Sequence, residues 1–199
     1  GIGEATARLL ADRGFRVICA ARRAERIEAL AKEIGGVAVA CDITKDDDVA
    51  RLVEAADGRL DVLVNNAGGA LGLEPVAEAD LDKWAQMIAT NTLGTARVTK
   101  ALLPAVLKAE GIIVFVTSIA ADAGYEGGAG YCAAKAGERA IVESMRLELY
   151  DKPVRITEIC PGLVETEEFS LTRFGGDKER AAKVYAGVAE PLTADDIAD

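Results

Sequence analysis

Five short apolar runs set the terms for this chain: "FRVICAA" at 15–21, "GVAVACD" at 36–42, "LDVLVN" at 60–65, "GIIVFVTS" at 111–118 and "VRITEIC" at 154–160. None of them alternates cleanly between apolar and polar residues. A strand that is apolar on both sides is buried on both sides, the condition of a strand in a parallel sheet covered by helices. Segments of helical period separate the runs. "RAERIEALAKEI" fills 23–34, a short helix is predicted near 46–56, and a long helical stretch spans 79–109 with Leu81, Trp84 and Ile88 on one stripe. A further helix covers 130–149, where Ile141 and Met145 stack four residues apart, and the tail predicts one near 177–187 and the start of another at Thr193. Regular strand–helix alternation over 199 residues predicts one α/β domain, a doubly wound parallel sheet with helices on both faces. Asn91 and Gly94 interrupt the 79–109 stretch, which predicts two helices or a kink there.

Composition removes whole classes of chemistry. The chain contains no histidine, so a Ser-His-Asp triad, a Cys-His pair and an HExxH zinc site are all excluded, and no metal site is expected. Proton transfer must use Tyr, Lys, Asp, Glu, Cys or a cofactor. A formal net charge of −10 makes nucleic acid and anionic membranes poor partners. No apolar run approaches the ~20 residues that a bilayer requires. Cys19, Cys41, Cys132 and Cys160 are scattered, three of them in or at the end of strand-like runs. They read as reduced thiols, which fits a cytoplasmic location.

The first ten residues, "GIGEATARLL", place Gly1 and Gly3 at the start of an amphipathic helix. A pyrophosphate needs such a helix start in a Rossmann-type unit: one glycine lets the backbone approach it, and another lets the helix pack close to its strand. About 20 positions further on, such a unit carries a carboxylate when it binds a ribose 2′-hydroxyl. Ala21 occupies that place, followed by Arg22 and Arg23. Guanidiniums there suit a 2′-phosphate, and cations at a helix start oppose the helix dipole unless something else recruits them. The pattern therefore predicts NADP rather than NAD. It also predicts a strand and loop of roughly 10–15 residues ahead of Gly1, and a further helix and strand beyond Asp199.

"YCAAK" puts Tyr131 and Lys135 on one helix face, about 6 Å apart. An ammonium beside a phenol stabilises the phenolate, so Tyr131 is a candidate general acid/base with Lys135 as its electrostatic partner. Ser118 ends an apolar strand and "NNAG" at 65–68 ends another, at the carboxyl ends where α/β sheets bind ligands.

Taken together, GIG at 1–3, D-I at 42–43, NNAG, N-x-x-G at 91–94, Ser118, Y-x-x-x-K at 131–135 and PG at 161–162 resemble the short-chain dehydrogenase/reductase family, with motifs in family order and twelve residues between Ser118 and Tyr131. The resemblance implies that Tyr131 exchanges the substrate proton, Ser118 orients the substrate oxygen, Lys135 holds the nicotinamide ribose, and Asn91 holds a water in a relay to Lys135. It implies that Gly1 and Ile2 contact pyrophosphate, that Arg22 meets the 2′-phosphate, and that Asp42 and Ile43 contact adenine. Asn65, Ala67 and Gly68 would flank the ribose and nicotinamide, while Pro161, Gly162, Val164 and Thr166 would line the carboxamide. Residues 163–187 would form a substrate lid. That segment and "GGALGLEPVAEADLDKW" at 68–84 resemble the NADP-dependent 3-hydroxy acid (serine-type) dehydrogenases and malonic semialdehyde reductases. A small carboxylate substrate wants a cation, and Arg173 is the lid's candidate, whereas Glu165, Glu167 and Glu168 would face solvent or an amino group. A reductase of another ketone, sugar or 3-oxoacyl group, and a non-catalytic NADP sensor, stay open as alternatives. The resemblance further implies a homodimer or homotetramer built on the 79–109 and 130–149 helices.

Overall fold

A computed structural model describes residues 1–166, 169–186 and 188–199. The chain runs α1 (Ile2–Asp12), β1 (Ile18–Ala21), α2 (Ala24–Ile34), β2 (Val37–Ala40), α3 (Asp46–Ala56), β3 (Val62–Asn65), α4 (Leu81–Met87), α5 (Thr95–Ala109), β4 (Ile112–Val116), α6 (Ala129–Glu148), β5 (Arg155–Ile159), α7 (Phe169–Arg173), α8 (Lys178–Lys183) and α9 (Ala194–Ala198). Each apolar run contains a strand, shorter than the run by two or three residues, because the ends of the runs lie in the connections to the neighbouring helices.

All pairings are parallel. β1 pairs with β2, and β3, β4 and β5 form a second group in that order. Among the described residues no strand hydrogen-bonds across from β1 to β3. What joins the two groups is a shared core, in which Cys41, Val49 and Leu52 meet Leu63, Val98, Leu102, Val106, Ile113, Phe115, Val142 and Met145. A smaller cluster of Ala7, Cys19, Ile27, Leu30 and Ala31 lies between α1, β1 and α2. Burial on both faces holds best for β4, where Ile113 and Phe115 are fully enclosed. β2 and β5 are only partly covered, each lying at an end of its group, and β5 exposes Arg155 and Thr157 on one side.

The interrupted stretch at 79–109 resolves as two α-helices joined without a break. Residues Ile88–Gly94 are π-helical and carry α4 directly into α5. A widened turn of this kind places side chains that a regular helix would aim elsewhere, and such turns concentrate at functional sites. Gly94 is required by the packing, since a Cβ there would come within 2.8 Å of the Ile43 side chain.

Replacing Phe115 by Ala should remove about 3–5 kcal/mol from the unfolding free energy in urea titration, because its ring is fully enclosed between β3, β5 and the helices. Leu147→Ala, at a position 77% exposed, should change it by no more than about 0.5 kcal/mol.

Candidate active site

The parallel register aligns the carboxyl ends of three strands. Asn65 lies opposite Phe115, and Val116 lies opposite Ile159. The segments that leave these ends therefore start from one level: NNAG after β3, Thr117 and Ser118 after β4, Cys160–Gly162 after β5. Ser118 is extended (φ −174°) and its Oγ accepts from the N–H of Ala120, capping the short turn at Ile119–Ala121. That bond leaves the Ser118 proton free to donate. The N–H of Ile119 donates to the Pro161 carbonyl at 3.1 Å, which ties the β4 and β5 segments together above the sheet.

α6 lays Tyr131, Lys135, Glu138, Val142 and Met145 on one buried stripe, the i, i+4, i+7, i+11, i+14 spacing of a single helix face. Tyr131 is 8% exposed and stands against Ala70, Met87, Ala120 and Ala134. Phe169 of α7 meets its ring edge-on at 5.8 Å. Burial pushes the phenol up to about 12. A hydrogen bond from Ser118 and the charge of Arg173 pull it back, and the carboxylate of Glu138 pushes it further up. The sequence predicts a phenol made acidic by its neighbouring lysine, and the structure corrects this. The Lys135 ammonium is 2.8 Å from Glu138 Oε2 and 3.0 Å from the Val116 carbonyl. Its charge is compensated locally by Glu138, and the phenol's own desolvation dominates.

Asn91 is fully buried in the π-helical segment. Its Oδ1 accepts from Gly69 N–H at 2.8 Å, and its Nδ2 donates to the carbonyls of Gly69 and Met87, both at 2.9 Å. The side chain thus ties the residue after the NNAG turn to α4 through the Gly69 and Met87 backbone. Gly68 sits where Asn91 and Lys135 converge: a Cβ there would collide with Asn91 Oδ1 and lie 3.5 Å from Lys135 Nζ.

Of the residues expected to hold a dinucleotide, some are open to a ligand near the strand ends and others serve the scaffold. Among the described residues no side chain caps the start of α1, and its first intrahelical donors are Glu4 and Ala5, both bonded to the Gly1 carbonyl. The preceding N–H groups of the Gly1–Gly3 turn are those an anion would take. A Cβ on Gly3 would come within 2.5 Å of Asn66 Nδ2, and a Cβ on Gly1 would stand 4.0 Å from Thr166, so α1, NNAG and the segment after β5 meet here. Arg22 is exposed at the end of β1, and its charge reaches Asp42. Arg23 precedes α2 and is also exposed. Asp42 accepts from both the N–H and the hydroxyl of Thr44, which hold its carboxyl below the usual range. Ala67 is exposed on the turn, whereas the Asn65 amide points inward to Thr99 Oγ1 at 2.9 Å, and Ile43 packs on Gly94. Those two side chains serve the scaffold. Gly162 is exposed, Val164 pairs with Leu192, and Thr166 Oγ1 accepts from the N–H of Phe169 at the start of α7. These features fit an extended anion-bearing ligand laid across the strand ends.

α7 docks onto the 68–84 segment through Arg173. Its carbonyl accepts from Gly72 N–H, its Nε donates to the Gly72 carbonyl at 2.9 Å, and its Nη2 donates to the Tyr125 hydroxyl at 2.9 Å. Arg173 therefore brings its charge to bear on Tyr131 and fastens α7 to the 68–84 segment at the same time. Glu165 faces solvent, while Glu167 and Glu168 lie outside the described residues. Three contributors were missed from sequence: Glu138, the Phe169 edge, and Tyr125, which anchors Arg173. For Glu138 a signal existed, since a carboxylate on the stripe of Tyr131, Lys135, Val142 and Met145 has no reason to be there unless it is paired.

The family described as short chain dehydrogenase matches residues 1–173. An uncharacterized oxidoreductase of Mycobacterium tuberculosis is 58% identical over 200 residues, covering all of this chain and 78% of that protein. A serine 3-dehydrogenase of Agrobacterium fabrum is 45% identical over 204 residues, covering all of this chain and 81% of the relative. Among solved structures, the closed form of a serine dehydrogenase complexed with NADP+ superposes with a TM-score of 0.94 at 36% identity, covering all of this chain and 82% of that one.

Asn91→Ala removes three hydrogen bonds around Gly69 and Met87 and should lower stability by about 1–3 kcal/mol, read as a fall in thermal midpoint. Retention of the wild-type midpoint would show that the NNAG turn is held by other contacts.

Proposed function

Since this chain belongs to the short-chain dehydrogenase family, we infer that it is an NADP-dependent oxidoreductase that interconverts a small alcohol and its carbonyl, with 3-hydroxy acids such as serine or 3-hydroxypropionate as the substrate class. The observation that carries this reading is the Tyr131 phenol, buried beside Ser118 at the end of β4, with a buried ammonium one helical turn away. The bound nicotinamide supplies or takes the hydride. The protein must then move one proton at the substrate oxygen. Tyr131 is the group placed to do so, and Ser118, whose proton is not used in its own cap, can hold that oxygen in line. Lys135 has one donor left after Val116 and Glu138, enough to hold a ribose hydroxyl.

NADP preference is supported by two exposed guanidiniums at the end of β1, where a carboxylate would select the unphosphorylated ribose. Arg173 supports the 3-hydroxy acid class. Its charge is felt at Tyr131, and among the described residues its Nη1 makes no hydrogen bond, so it can take a substrate carboxylate while still clamping α7. The serine dehydrogenase relatives agree with that choice. Assembly as a homodimer or homotetramer is supported by Leu81, Leu93 and Leu147, exposed on the helices expected to pair. Among the described residues no helix is long and apolar enough to cross a membrane, and the four cysteines are free thiols, in keeping with a cytoplasmic enzyme.

Reduced-cofactor absorbance should appear when the purified protein meets NADP+ with L-serine or 3-hydroxypropionate. Activity confined to neutral ketones or sugars would move the substrate class while keeping the chemistry. Tyr131→Phe should lower turnover by about a hundred- to ten-thousand-fold, the usual worth of a positioned acid/base, with NADP+ still bound. Arg173→Met should raise KM for a 3-hydroxy acid by about tenfold or more, as expected for a lost charge-assisted bond, and leave a neutral alcohol unaffected. Arg22→Asp should turn the preference toward NAD.

A further inference from the structure

Glu138 is 1% exposed and lies three residues beyond Lys135 on the same face of α6. Its two oxygens are separately engaged: Oε2 takes the Lys135 ammonium at 2.8 Å, and Oε1 accepts from the Thr95 hydroxyl of α5 at 3.3 Å. Lys135 itself is 4% exposed and is held on its other side by the Val116 carbonyl, the last of β4. Each of these two charges, so far from water, is costly without the other, and the Val116 carbonyl gives the ammonium a second partner.

We propose that Glu138 is a positioning residue for the oxidoreductase reaction: it fixes the Lys135 ammonium at the end of β4 and, by compensating its charge, sets the pH range in which Tyr131 exchanges its proton. The role rests on the oxidoreductase reading above. The groups that face Glu138 come from three elements. Lys135 and Tyr131 are on its own helix, Glu158 reaches it from β5, and α5 offers the Thr95 hydroxyl. Glu158 is itself bonded by the Thr117 hydroxyl at 2.8 Å, with Arg139 on its outer side, where Arg139 also pairs with Asp122 next to the Ile119–Ala121 turn. A second carboxylate beyond Glu138 therefore adds to the negative charge behind Lys135.

The consequence has a definite sign. With Glu138 ionised, the pair presents little net charge to Tyr131, and the phenol keeps its proton to high pH. Removing the carboxylate charge leaves the ammonium uncompensated, which favours the phenolate. Alcohol oxidation needs the proton-accepting form, so its rise with pH should begin earlier.

The test follows kcat and KM against pH for oxidation with NADP+ of whichever of L-serine, 3-hydroxypropionate and 2-propanol the wild type turns over. Glu138→Gln should displace the rising limb of kcat to lower pH by about one unit, the size expected when a close charge is removed. Glu138→Asp, which keeps the charge at a shorter reach, should fall between the two. KM for NADP+ should rise in the Gln variant as Lys135 loses its anchor. A limb that stays at the wild-type position in Glu138→Gln, whether or not the rate falls, overturns the proposal. If the Gln chain does not fold, the Asp variant decides alone: a limb displaced to lower pH supports the role, and an unmoved limb refutes it. No NADP+-dependent turnover in the wild type would refute the oxidoreductase reading, and this role with it. A normal wild type with an unmoved limb refutes the role of Glu138 alone.

Discussion

In the parallel register of β3, β4 and β5, Val62 lies opposite Ile112, and Ile112 opposite Arg155. That alignment makes three chain segments depart from the sheet at the same height. A parallel strand must hand the chain to a crossover helix, so each departure is a turn followed by a helix start, and short polar residues gather at one edge. NNAG, Ser118 and PG come together for that reason, and α6 then lowers Tyr131 and Lys135 onto the end of β4. Each of these residues lies at a strand end, in the segment that directly follows it, or on a helix packed above it.

The second constraint is electrostatic. The floor of the site holds an ammonium and a carboxylate with almost no water contact, and a phenol that burial alone would keep neutral. Breaking such a pair from one side costs about 3–5 kcal/mol in other proteins, which makes the Lys135–Glu138 pair poor material for drift in position. The π-helical turn serves the same purpose from the other side. It inserts Asn91 between Met87 and Gly69, fixing the NNAG turn against the helix that packs on α6. Thr92 continues that contact by donating to the Ala134 carbonyl at 2.7 Å. A hydride transfer has little tolerance for misplacement, and these bonds restrain the site on every side that protein occupies.

Much of this was written in the pattern of residues. Both-sided apolar runs gave the parallel sheet, and the spacing of Tyr131 and Lys135 on a helix placed them on one face. The partial exposure of β2 and β5 was not legible, because it depends on which strands end up as neighbours. Asn91 was read as a relay residue. Its side-chain bonds to Gly69 were not legible, because they depend on a widened helical turn that has no distinct sequence signature. The sign of the phenol's displacement was misread for a similar reason. A pairwise rule saw the lysine four residues away and missed the carboxylate three residues beyond it and the enclosing side chains of Ala70, Met87 and Ala120. Arg173 was found from charge alone, yet its clamp on Gly72 and Tyr125 is a tertiary fact spanning 101 residues of sequence.

The account stands on a buried phenol and its neighbouring ammonium meeting a dinucleotide at the carboxyl edge of β4. A crystal structure of the protein with NADP+ bound tests this directly. The account predicts the nicotinamide ribose within hydrogen-bonding reach of both the Tyr131 oxygen and Lys135 Nζ, with the pyrophosphate at the start of α1. A dinucleotide seated away from that edge, or a Tyr131 oxygen turned out of reach of the reactive ring, would contradict it.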